Sequence, residues 1–149
     1  MVAKIIIIAG TIFGLLYSIG RRDSLPIIIS SGMAMGVAIA LFASTIYRPI
    51  GFIAYMVSVL IAALYAIVTD GLEIRQRILI ILVCASVFTY WLFAINHWHG
   101  NLWLFMLVPI LILIWWLVYK VPIRKELGFI IIMLADALAV VFEHWNNRW

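Results

Sequence analysis

Ile5-Ile6-Ile7-Ile8 and Leu111-Ile112-Leu113-Ile114 belong to runs that are apolar at every position, with no polar residue at alternate places. A membrane-spanning barrel strand alternates apolar and polar residues over about ten positions, and the helix of a soluble domain keeps one polar face. A helix that is apolar all round needs apolar surroundings on every side, and in hydrocarbon only a helix satisfies its own backbone within such a run. Six runs of this kind follow one another, roughly residues 5–19, 25–44, 50–69, 78–95, 102–119 and 127–142. About 20 apolar residues cross the roughly 30 Å hydrocarbon core of a bilayer. The runs therefore predict an all-α polytopic transmembrane helix bundle of about six short-looped spans, forming a single integral membrane domain over residues 1–149. The first run lacks a small-x-small cleavage site and is followed at once by Arg21-Arg22, so it reads as an uncleaved span and not as a signal peptide.

Composition closes the other routes. Hydrophobic residues make up 68% of the chain and charged residues 11%, with a mean hydropathy of +1.23. Soluble domains hold about 45–50% apolar and roughly 25% charged residues, so a water-soluble globule is excluded. Disorder fails on the same hydrophobicity, and one cysteine, Cys84, cannot form a disulfide scaffold.

Charge sets an expected sidedness. Arg21, Arg22, Arg75, Arg77, Lys120, Arg124 and Lys125 fall in the first, third and fifth breaks; only Lys4, Arg48 and Arg148 fall on the other side. Basic short loops stay cytoplasmic, which places both termini outside a plasma (inner) membrane. Trp91, Trp98, Trp103, Trp145 and Trp149 then form an outer aromatic belt, and Tyr17, Tyr65, Trp115, Trp116 and Tyr119 an inner one. The net charge of +4 calls for no nucleic acid partner, because loops facing anionic membrane lipids carry such an excess.

Small residues recur every four positions. The first span carries Gly10, Gly14 and Ser18; the second Gly32, Gly36, Ala40 and Ser44; the third Ala54, Ser58, Ala62 and Ala66. Close helix packing in lipid uses such stripes, which predicts a tight inner cluster of the first three spans. Residues 102–119 contain no Gly, Ala, Ser or Thr and include Pro109, so that span is expected at the periphery, kinked, facing lipid or a partner.

Asp136 is the one ionisable residue well inside a run, and a charge there costs roughly 2.5–3.5 kcal/mol on insertion scales. Two turns on, Glu143 falls on nearly the same stripe, so the pair outlines an acidic track from mid-membrane to the outer mouth. The bland reading is structural, with Asp136 hydrogen-bonded to a neighbour such as Thr11, Ser58 or Thr89. His97, His99 and His144 share the expected outer side, where they serve as polar anchors, as ligands of a metal ion or as pH sensors. No regular metal-ligand spacing sharpens the metal reading. No nucleophile elbow, phosphate loop or cysteine pair is present, and Asp70 and Glu73 read as part of a charge-balanced turn, so nothing points to an enzyme. The leading expectation is a channel or transporter that moves an ion, proton or small solute past Asp136. The alternative is a non-catalytic integral subunit or assembly factor of a larger membrane complex, docking through residues 102–119. Membrane lipids surround the chain in both, and a homo-oligomer or larger complex fits both.

Overall fold

The computed structural model describes residues 2–96, 101–119 and 123–146. Six α-helices account for nearly all of them: α1 (Val2–Arg21), α2 (Ser24–Phe42), α3 (Arg48–Val68), α4 (Ile74–Ile95), α5 (Leu104–Tyr119) and α6 (Leu127–Asn146). Five are long and apolar enough to cross a membrane, compatible with a multi-pass membrane protein. α5, with 16 residues, is the short one. At about 1.5 Å per residue it reaches roughly 24 Å, less than the hydrocarbon core. It starts at Leu104, because residues 102–103 form the preceding turn, and it stays helical through Pro109.

The helix ends follow from the residues at the breaks. α3 begins on Arg48-Pro49, where the missing proline N–H is one that the first turn leaves unbonded anyway. Arg22 takes a left-handed φ of 60° and its N–H bonds Ile19 O at 3.2 Å, closing α1. Between α3 and α4, Glu73 and Gln76 form a capping box, with Glu73 N–H donating to Gln76 Oε1 at 2.7 Å. Arg77 reaches back to donate to Ile67 O at 3.0 Å and Thr69 O at 2.8 Å, satisfying carbonyls at the end of α3. This turn is thus held by a guanidinium on backbone carbonyls and not only by balanced side-chain charge. Gly71 has a φ of +96° and open space around it. Replacing Gly71 by Ala is expected to cost about 1 kcal/mol through backbone strain alone, read as a lower thermal midpoint in detergent.

Each helix packs on the next in sequence, and α6 returns to α1, so the six close into a ring. α6 also touches α2 and α4, which draws it inward. Its apolar window is 56% buried, against 17% for α1 and 33% for α2, α3 and α4. The core gathers Phe129, Ile132 and Met133 of α6 with Ile29, Met33, Val59, Leu79 and Ile80. Away from it the surface is apolar: Phe13, Ile28, Met35, Leu64, Leu82 and Leu111 are all exposed. An apolar exterior on every helix is what a bilayer solvates and water does not.

The expected inner cluster of the first three spans is corrected here, because α1 turns its small-residue stripe to α6. Gly10 lies against Ala135, and a Cβ on Gly14 would come within 2.5 Å of the Gly128 carbonyl and 2.7 Å of Ile132 Cγ1. The α2 stripe faces α3 as expected: a Cβ on Gly32 would meet Ser58 Oγ at 2.5 Å, and one on Gly36 would meet Tyr55 N at 2.7 Å. Gly51 fits in turn beneath Ala40, and Ala62 is fully buried. Ala54 is partly buried and its carbonyl accepts a bond from Ser58 Oγ. Ser18 links the two seams, with its hydroxyl 2.7 Å from that of Ser30 on α2. In both seams the paired positions run in opposite directions, so α1 and α6 are antiparallel, as are α2 and α3. The start of α1 and the end of α6 therefore lie at one end of the bundle. At the other end, Lys125 approaches Asp23 at 3.7 Å between two exposed side chains, a contact of small energetic weight.

Candidate functional site

Asp136 sits at the middle of α6 and is 1% exposed. A carboxyl group this buried needs donors in place of the water it gives up. Two arrive from other helices: Tyr55 Oη on α3 donates to Oδ2 at 3.1 Å, and Trp91 Nε1 on α4 donates to the same oxygen at 2.7 Å. The partners are therefore Tyr55 and Trp91, not Thr11, Ser58 or Thr89. Thr11 and Ser58 instead donate to carbonyls of their own helices, Ile7 O at 2.6 Å and Ala54 O at 2.9 Å.

The donors are positioned by the packing around them. α3 and α6 are not backbone neighbours, so the Tyr55 phenol spans the gap between them. Its backbone is seated on Gly36, where any side chain on α2 would push α3 away. Trp91 is held between Phe52, with ring centroids 4.7 Å apart, and Tyr90, edge-on at 5.2 Å. Hydrogen bonds to an ionised acceptor are the strong ones. Trp91→Phe, which removes the shorter bond, is expected to cost about 1.5–3 kcal/mol, more than Tyr55→Phe, measured as loss of thermal stability.

Asp136 also lines a cavity of about 220 Å³ whose wall includes Lys4, Phe52, Tyr55, Trp91 and Glu143. Small side chains at Gly36, Ala40 and Ala139 leave the room. The lining runs from buried Asp136 to Lys4 and Glu143, both exposed near the chain ends. Asp136 and Glu143 thus share one cavity, separated along α6 by Ala139 and Val140.

A second cavity of about 290 Å³ shares Val140 and Glu143 with the first and is walled by Tyr90, Trp103 and His144. The Trp103 and His144 rings stack at 4.8 Å, 19° apart in plane. Trp103 Nε1 and His144 Nε2 are both buried with no hydrogen-bond partner among the described residues. His97 and His99, the other two candidate ligands, lie outside the described residues, as do Trp98, Lys120, Arg148 and Trp149. Among the described residues no three His, Cys, Asp or Glu side chains gather as a metal site.

A second buried acid, read from the sequence only as part of a polar break, lies toward the opposite end. Glu126 is 2% exposed and accepts a bond from Tyr65 Oη at 3.2 Å. Tyr65 follows Tyr55 by ten residues and Glu126 precedes Asp136 by ten, so two tyrosine–carboxyl rungs bridge α3 to the α6 segment in one antiparallel register. Ten residues of helix separate them by about 15 Å. Ala62 on α3 and Phe129 and Met133 on α6, at intermediate positions along the two helices, are fully buried in the core. Trp91 and Tyr65, expected as membrane-interface anchors, are instead the donors to the two acids. The chain matches no protein-family model, no curated protein and no solved structure, so the function has to be argued from these residues alone.

Proposed function

We propose that the protein is an integral membrane transporter or channel of the plasma (inner) membrane that moves a proton, ion or small solute past Asp136. The observation that carries this reading is a buried carboxyl at the foot of a cavity whose wall reaches two exposed charged residues. An acid that only tied helices together would be served by packed neighbours, without adjoining space. Intramembrane acids that face a cavity mark substrate or ion paths. Fully buried Phe129 and Met133 lie between Glu126 and Asp136 along the α6 segment, so transport past them requires this packing to rearrange. Arg21, Arg22, Arg75 and Arg77 lie at the end away from the chain termini, which supports a cytoplasmic position for that end and exported termini. In proteoliposomes an imposed proton or cation gradient is expected to dissipate faster than in empty vesicles, and Asp136→Asn is expected to return the rate to background. A parent protein no faster than empty vesicles contradicts the proposal.

A second reading, an integral subunit of a larger membrane complex, draws on α5. It is shorter than the other helices and buries only Met106 and Pro109. Under that reading a gentle-detergent purification recovers a stoichiometric partner, Leu111→Ala with Trp115→Ala releases it, and Asp136→Asn changes nothing.

A further inference from the structure

We infer that the cavity beside Asp136 is a binding site for a small organic cation, an amine or quaternary ammonium carrying an apolar group. This rests on the site proposed above but not on transport through it. The charge of the lining comes first: Asp136 and Glu143 are acids and Lys4 is the one base, which disfavours an anion. Lys4 and Glu143 are both exposed and stand together at the chain-terminal end, whereas the partners of Asp136 among the described residues are the neutral donors Tyr55 and Trp91. Inorganic cations come next. Calcium takes six to eight oxygen ligands and magnesium a near-octahedral set. Here the inner oxygen donor is one carboxylate whose Oδ2 already accepts two hydrogen bonds, and Tyr55 has committed its proton to it. A bare metal ion would keep most of its valence unfilled.

An organic cation matches what remains. Val37, Leu41 and Val140 give the cavity an apolar wall for the ligand's carbon atoms. Phe52, Tyr55 and Trp91 add three aromatic side chains to the same lining, two of them donating to the carboxylate, and aromatic faces attract cations through their quadrupole. The Trp91 and Tyr55 hydrogen bonds fix the carboxylate beforehand, so the ligand does not have to order it on arrival. One anionic group with aromatic side chains beside it is a minimal receptor for a substituted ammonium, and this cavity supplies both from three different helices.

Calorimetric titration of the purified full chain in detergent tests this with three probes of one shape: phenethylammonium, 2-phenylethanol and phenylacetate. Phenethylammonium is expected to bind at least about tenfold more tightly than the neutral alcohol, and phenylacetate least of all. Phe52→Leu keeps an apolar wall and the fold while removing one ring, and is expected to weaken phenethylammonium about two- to tenfold with little change for the alcohol. Glu143→Gln, at the exposed mouth, should weaken it less than Phe52→Leu. Equal affinity for charged and neutral probes, or tighter binding of phenylacetate, overturns the inference. Binding of phenethylammonium with neither its own flux nor proton or cation flux in proteoliposomes keeps the site and removes transport; proton or cation flux without such binding does the reverse.

Discussion

Asp136→Ala is expected to abolish flux and to destabilise the bundle, while Asp136→Asn is expected to abolish flux and leave the fold close to the parent. The difference lies in what each change does to the two donors. Alanine strips Tyr55 Oη and Trp91 Nε1 of their shared acceptor inside the bundle. Leaving a buried donor unsatisfied costs about 1–3 kcal/mol for each group, so the alanine variant is expected to lose several kcal/mol. Asparagine keeps an acceptor oxygen at the same place, puts an amide NH2 where the second oxygen stood and cannot take up or release a proton. Thermal unfolding followed by fluorescence, alongside proteoliposome flux, separates the two effects. If Asp136→Asn transports like the parent, Asp136 is structural and the functional reading fails.

The second large effect belongs to the α1–α6 seam. Gly14→Ala and Gly128→Ala are each expected to cost about 1–3 kcal/mol, because besides the Ile132 and Ser18 side chains each new methyl meets a backbone carbonyl that cannot turn aside. A Cβ on Gly14 would stand 2.5 Å from the Gly128 carbonyl oxygen, and one on Gly128 would stand 2.7 Å from the Gly14 carbonyl oxygen. The two helices must separate to admit either. That separation also shifts Ala139 and Glu143 against Lys4, so ligand binding at the cavity falls together with stability. Gly20→Ala, in the same helix but with no atom within 4 Å, is the control and is expected to be neutral or slightly stabilising. Equal melting points for Gly14→Ala and Gly20→Ala would mean that the seam is not as tight as described.

The helices were legible in the sequence because a run apolar on all sides leaves one backbone solution in hydrocarbon. The small-residue stripes were legible as well, since four-residue spacing is a local property of one helix. Which helix each stripe meets was not: nothing in Gly10-x-x-x-Gly14 says whether it faces α2 or α6. Ring closure by a chain that returns α6 to α1 decided that. Asp136 stood out because it is alone in an apolar run, and Glu143 because it lies on the same stripe. Their surroundings were hidden. Tyr55 and Trp91 lie 81 and 45 residues from Asp136 in the chain. A tryptophan near a helix end suits a membrane interface as well as a buried donor, so the sequence alone puts Trp91 and Tyr65 in aromatic belts. Glu126 sat among Arg124 and Lys125 and read as loop charge, although its equal offset from Asp136 repeats that of Tyr65 from Tyr55. That matched spacing on two antiparallel helices was the one signal capable of revealing both rungs.

The decisive measurement is water access to α6 at the depth of the cavity, read by single-cysteine variants in a Cys84→Ala background. Leu138 points outward and is 45% exposed on the apolar surface, whereas its neighbour Ala139 lines the cavity. A small positively charged methanethiosulfonate reagent added on the chain-terminal side of proteoliposomes is expected to modify Ala139→Cys. Under the same conditions Leu138→Cys, facing lipid, stays unmodified, and phenethylammonium slows the reaction at Ala139→Cys. Labelling of Leu138→Cys with protection of Ala139→Cys would turn the helix around and leave Asp136 without a path.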